Sequence, residues 1–175
     1  MARQVTYQWL FWPALILALV IFAAFRLIDA PLQNPVTPNG IVSFELAGSV
    51  AQAQAMLDSW DARARLYAAF GLGLDYLFMV SYALAIGLGC LRAAGTLGRR
   101  WPWLAGLGRF LAWGLGLAAL LDAVENVALT TMLLAGTASA PWPALAAGCA
   151  TAKFVLVALG LLYALAGAVM WLVRR

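Results

Sequence analysis

The chain has 175 residues, 65% of them hydrophobic and 10% charged, with a formal net charge of +4. A soluble domain is nearer half apolar and a quarter charged, so the composition excludes an ordinary water-soluble fold and predicts one all-α, polytopic membrane domain. Histidine is absent and Cys90 and Cys149 are the only cysteines, which removes the commonest general base and metal ligand and disfavours zinc, haem and iron–sulfur cofactors.

The first apolar run, about residues 9–28, is too long for a signal peptide and lacks a small-x-small cleavage site, so it predicts an uncleaved first span. Pro31 to Gly40, with Asn34-Pro35 and Pro38-Asn39-Gly40, reads as an irregular loop. An amphipathic helix is predicted over about 43–65, with Ser43 as its N-cap. Leu46, Val50, Ala53, Leu57, Trp60 and Ala64 form its apolar stripe, and Glu45, Gln52, Ser59 and Arg63 lie on another face. Too polar to span, it is expected to lie on the membrane or cap the bundle. The second span is predicted at about 66–91 and ends in Arg92, Arg99 and Arg100. An interfacial piece with Trp101, Trp103 and Arg109 precedes the third span, about 110–134. A loop with Pro141 and Pro143 leads to the fourth, about 144–173, before Arg174-Arg175. Each meets or exceeds the roughly 20 residues that cross the hydrocarbon core.

Basic residues mark one side. Arg3, Arg92, Arg99, Arg100, Arg109, Arg174 and Arg175 fall there, whereas Arg26, Arg63 and Arg65 on the other side are offset by Asp29, Glu45, Asp58 and Asp61. The positive-inside rule then places both termini in the cytoplasm and the protein in the inner membrane. The same pattern argues against nucleic acid as a partner. Trp9, Trp12, Trp101, Trp103 and Trp142 fit an aromatic belt. Gly-Leu-Gly recurs at 71–73, 87–89, 106–108 and 114–116, and predicts close helix packing, because no strand precedes any copy as a nucleotide-binding loop requires. Cys90 and Cys149 fall near opposite faces, which disfavours a disulfide.

Four ionisable residues interrupt the apolar stretches: Asp75, Asp122, Glu125 and Lys153. A charge at membrane depth costs about 2.5–3.5 kcal/mol on insertion scales, so such residues are candidate functional groups. Asp122, Glu125 and Asn126 share one face of the third span by their spacing. Lys153 shares its face with Ala146, Cys149, Gly160, Ala164 and Gly167, a small-residue face suited to close packing. Counting from span ends places Asp75, Glu125 and Lys153 at one depth, in the outer half of the membrane, with Asp122 one turn deeper. Three acids against one base require a proton, a cation or water. Tyr76 and Tyr82 are secondary ligand-binding candidates beside ordinary interior aromatics. Glu45 is another, although a place in the first helical turn, where the dipole stabilises an acid, is the favoured explanation.

The run Gly40-Ile-Val-Ser-Phe-Glu-Leu-Ala-Gly48, the segment Leu74-Asp75-Tyr76-Leu77-Phe78 and the segment Leu121-Asp122-Ala-Val-Glu125-Asn126 resemble a group of small bacterial four-span membrane proteins. The resemblance implies no activity, so function has to be argued from the site.

The expected function is binding of a lipophilic or cationic small molecule, or acid–base chemistry upon it. Asp75, Asp122, Glu125 and Lys153 are the catalytic candidates, and Asn126, Tyr82, Glu45 and Tyr76 the ligand-binding ones. A hard divalent cation on Asp75, Asp122 and Glu125 is a variant. The alternatives are a proton- or cation-coupled transporter component, and an accessory subunit held by the charges in a larger membrane complex or homo-oligomer. The bilayer itself is the remaining expected partner.

Overall fold

The computed structural model describes residues 8–173; Arg3, Arg174 and Arg175 lie outside the described residues. The described chain is all-helical. A short 3₁₀ turn, Gln8–Leu10, leads into α1 (Phe11–Ile28), and a second, Ala30–Leu32, follows it. Then come α2 (Ile41–Glu45), α3 (Val50–Ser59), α4 (Ala62–Leu97), α5 (Pro102–Ala135) and α6 (Trp142–Val173). Four helical stretches are long and apolar enough to cross a membrane: 8–32, 62–97, 102–135 and 142–173, of 25, 36, 34 and 32 residues.

Local chemistry sets these boundaries. Asp61 caps α4, its Oδ1 accepting from Ala64 N at 2.7 Å. Pro102 opens α5, where its missing N–H falls on a position with no helical acceptor. Gly136 closes α5 with a φ of +64°, its N–H donating to Leu133 O at 3.3 Å. The observed α4 and α5 outrun the predicted spans at both ends, because hydropathy marks where side chains are apolar and not where the backbone ladder stops. The segment with Trp103 and Arg109 is therefore the first part of α5, joined to α4 by a tight turn in which Gly98 N donates to Ala94 O and Trp101 N to Leu97 O.

The single helix predicted over 43–65 is two helices and a break. α2 stops at Glu45, and the chain turns through Gly48, which has a φ of +70°. Ser49, not Ser43, caps α3: its Oγ accepts from Gln52 N at 3.3 Å and donates to Gln52 Oε1 at 3.0 Å. Ser43 Oγ instead accepts from Asn39 N at 3.0 Å. Trp60 is extended and separates α3 from α4. The predicted stripe is buried from Ala53 onward, through Leu57, Trp60 and Ala64, whereas Leu46 before the turn and Val50 at the start of α3 are exposed.

The chain forms two compact units. One comprises residues 20–79 and 121–152. Its core joins Leu32, Phe44, Ala53, Leu57, Trp60 and Leu72 to Leu129, Met132 and Ala146. The connection between α1 and α4 folds onto this core through its own polar bonds. Thr37 Oγ1 and Trp60 Nε1 both donate to Leu32 O, at 2.5 and 2.9 Å. Asn34 Oδ1 accepts from Val36 N and Thr37 N, and Asn34 Nδ2 donates to Ser59 Oγ. Asp29 Oδ1 accepts from Ile41 N at 2.7 Å, at the start of α2. Gly40 makes that approach sterically open: its φ is +55°, and a Cβ there would coincide with the Asp29 carboxylate. Arg65 donates to Leu57 O and Trp60 O, closing the end of α3, and Gln54 Oε1 accepts from Ala138 N in the α5–α6 loop at 2.8 Å.

The other unit comprises residues 1–19, 80–120 and 153–175, of which 8–19, 80–120 and 153–173 are described. It is built on close contacts of small residues: Gly167 packs on Ala93, Gly160 on Leu115, and Gly108 on Tyr163. Tyr163 Oη donates to Leu104 O at 2.6 Å and Cys90 Sγ to Gly160 O at 3.3 Å. Each Gly-Leu-Gly copy has at least one glycine in such packing, while Gly73, Gly106 and Gly116 face open space. Cys90 and Cys149 are both buried thiols outside any disulfide.

Candidate functional site

The acidic residues of the apolar helices all belong to the unit formed by residues 20–79 and 121–152. Asp75 lies thirteen residues after the start of α4, and Asp122 thirteen before the end of α5. At about 1.5 Å per residue, each is about 20 Å from that end of its helix. The two antiparallel helices therefore hold these residues level. Contact across them is direct: Asn126 Nδ2 donates to Asp75 Oδ2 at 2.7 Å. Asp122 and Glu125 occupy the same face of α5 as Asn126, one turn apart, as the spacing predicts. All three α5 residues are buried, with 1, 0 and 1% exposure for Asp122, Glu125 and Asn126. Asp75 is half-buried. Among these four residues, it is the one through which the site meets the exterior.

One carboxyl group and one amide thus meet across the two helices, and two further buried carboxyl groups share the Asn126 face of α5. An ionised carboxyl accepts hydrogen bonds and a protonated one also donates, while the amide does both. Such a set can hold a cationic or polyhydroxylated group and can pass a proton between two of its members. Among the described residues, no three His, Cys, Asp or Glu side chains are grouped as metal ligands, so the divalent-cation variant gains no support.

Tyr76, one residue from Asp75, is 44% exposed. Glu45 is in the same unit as the acids, half-buried with its Oε2 shielded from solvent. It is the last residue of α2, not in its first turn. The helix dipole therefore does not account for an acid at this position. Tyr82 and Lys153 are buried and fall within the residue ranges of the other unit. Lys153 Nζ lies 4.9 Å from the Phe154 ring centroid. Of the small residues on its face, Ala146, Cys149, Gly160 and Gly167 are buried.

Several structural roles escaped sequence reasoning. Ser81 is a buried hydroxyl in α4, with 2% exposure. Thr37, fully buried, and the Trp60 indole N–H serve one shared carbonyl. The S-x-x-Q pattern of Ser49 and Gln52 was a usable signal for the start of α3. Nothing local signals that Thr37 is buried, because its partner is set by the folded connection.

All seven acidic residues of the chain fall in this same unit, and the described charged residues of the other unit are Arg92, Arg99, Arg100, Arg109 and Lys153. The chain matches no protein-family model, no curated protein and no solved structure.

Proposed function

We propose that this is a four-span integral membrane protein in which Asp75, Asp122, Glu125 and Asn126 bind the cationic or polar group of a lipophilic small molecule. The observation that carries the reading is the Asn126–Asp75 hydrogen bond across α4 and α5 beside two fully buried carboxyl groups. One carboxylate and one amide would suffice to clasp two helices. Two further buried acids on the same face exceed that need.

Membrane insertion is supported by the apolar exterior. Trp12, Phe22, Leu66, Phe70, Trp113, Leu120, Leu134 and Leu162 are all more than half exposed. Soluble monomers rarely expose contiguous apolar patches beyond a few hundred Å². The arginines of the α4–α5 turn, with those at the termini, favour a cytoplasmic side there. The folded connection containing α2 and α3 then lies at the opposite, outer face. In acid–base chemistry, Asp122 or Glu125 is the proton donor, and Asp75, which accepts the Asn126 amide, is the base or cation stabiliser. Isomerisation or cyclisation of a lipid fits such a donor–acceptor pair.

A clasp without ligand is the competing reading, and the same Asn126–Asp75 bond favours it. The test uses Asp75→Asn, Asp122→Asn and Glu125→Gln in detergent or nanodiscs, with tetraphenylphosphonium as a lipophilic cation probe. Binding reading: the variants keep their helicity and melting temperature within a few degrees and bind the probe at least tenfold more weakly. Unchanged probe affinity in folded variants, or loss of folding in all three, refutes it.

A further inference from the structure

The charge distribution points to a second surface, distinct from the acidic site. In the unit formed by residues 1–19, 80–120 and 153–175, the described charges are four arginines and one lysine, with no acid among them. Lys153 is buried. The four arginines lie within about two helical turns of the α4–α5 turn: Arg92 before it, Arg99 and Arg100 in it, and Arg109 after it. Arg99, Arg100 and Arg109 are exposed.

The aromatic setting is equally biased. Trp101, Trp103, Phe110 and Trp113 are 38, 68, 70 and 83% exposed. The Arg100 guanidinium lies over the Trp101 ring, 4.9 Å from its centroid, and the Arg92 guanidinium lies 4.1 Å from that of Phe11. Arg92 Nη2 also donates to Gln8 O at 2.8 Å, which holds that side chain in place. Exposed tryptophans at a helix end match the amphipathic level of a bilayer, where acyl chains meet headgroups. Guanidinium groups pair with phosphate oxygens in a planar two-pronged geometry that an ammonium cannot reproduce, and every exposed cation here is an arginine. A free anion would satisfy the charges but leave the adjoining indoles in water.

We propose that the α4–α5 turn is a binding surface for anionic phospholipid headgroups. Arg99, Arg100 and Arg109 contact the phosphate, and Trp101 and Trp103 lie against the glycerol and upper acyl region. The proposal rests on the membrane reading above but not on the acidic site.

The test compares wild type with the triple variant Arg99→Gln, Arg100→Gln, Arg109→Gln, purified in neutral detergent. Phosphatidylglycerol, phosphatidylcholine and inorganic phosphate are titrated separately, with melting temperature and native mass spectrometry as readouts. The expected result is that phosphatidylglycerol raises the wild-type melting temperature and remains bound, and that phosphatidylcholine does neither. Its affinity falls about fivefold per arginine removed. An equal response to phosphatidylcholine, or full retention of the phosphatidylglycerol response in the folded variant, overturns the proposal. Equal stabilisation by inorganic phosphate overturns the lipid as the source. If the triple variant fails to fold, wild type decides alone: the phosphatidylglycerol response must weaken in high salt, and persistence refutes a charge-based surface. Failure of wild type to float with liposomes sinks the membrane reading itself. Flotation without lipid preference sinks only this proposal.

Discussion

Substituting Gly167 by alanine tests whether small-residue contact sets the spacing of α4 and α6. A Cβ at Gly167 would overlap Ala93 Cβ and stand 2.6 Å from Ala93 Cα. The second contact is with backbone, so no rotamer change relieves it. Restoring an ordinary carbon–carbon separation of about 3.5–4.0 Å needs the two helices to part by about 1–2 Å. Overpacking of this kind costs about 1–3 kcal/mol. Alanine itself favours a helix over glycine by about 1 kcal/mol, which would mask part of the loss. Gly116→Ala is the internal control, because nothing lies within 4 Å of a Cβ there. The propensity gain cancels between the two variants, and the difference isolates the contact. At about 2–4 °C per kcal/mol for a chain of this size, Gly167→Ala should melt about 2–12 °C below Gly116→Ala. Thermal unfolding in one detergent, followed by circular dichroism, reads this directly. Equal melting temperatures would refute the packing argument.

Trp60→Phe keeps the apolar ring and deletes the N–H that donates to Leu32 O and Thr37 Oγ1, so a loss of about 1–2 kcal/mol is expected from chemical unfolding. No loss would mean that the ring alone holds the connection. Asp29→Ala removes the acceptor of Ile41 N, and α2 should become the first segment cut by protease, at a stability cost of about 0.5–2 kcal/mol. Unchanged cleavage kinetics would count against that cap. Ser49→Ala should loosen α3 by about 1 kcal/mol, whereas Ser43→Ala should do less, since Ser43 caps no helix. Hydrogen exchange at Gln52 N discriminates the two, and equal effects would contradict the assignment.

The long helices were legible because apolar runs of this length leave few alternatives. Their ends were less so: residues 92–97 read as connection and the aromatic stretch 102–109 as interface, yet both are helical. The face of Asp122, Glu125 and Asn126 followed from spacing alone, since helical geometry is local. That Asn126 bonds Asp75 did not, because the rotation of α4 against α5 depends on packing along both. The stripe from Ala53 to Ala64 stayed in phase across a real break, which concealed the break. Gly48 and the extended Trp60 interrupt the backbone, while the flanking helices still turn their apolar sides to one core. The burial of Tyr82 beside the exposure of Tyr76 shows the same limit: both sit in one apolar run, and only tertiary contact distinguishes them.

The folded connection between α1 and α4 also dictates an order of assembly. Its core shares Leu129, Met132 and Ala146, and its Gln54 receives a backbone N–H from Ala138. During synthesis, Phe44, Leu57 and Trp60 emerge roughly seventy to a hundred residues ahead of those partners. At about 5–20 residues per second, the gap lasts several seconds. For that interval an early, aromatic-rich segment has no completed core to enter. The nascent chain is then most vulnerable to proteolysis and mispairing at this connection, and release from that state coincides with the arrival of the start of α6.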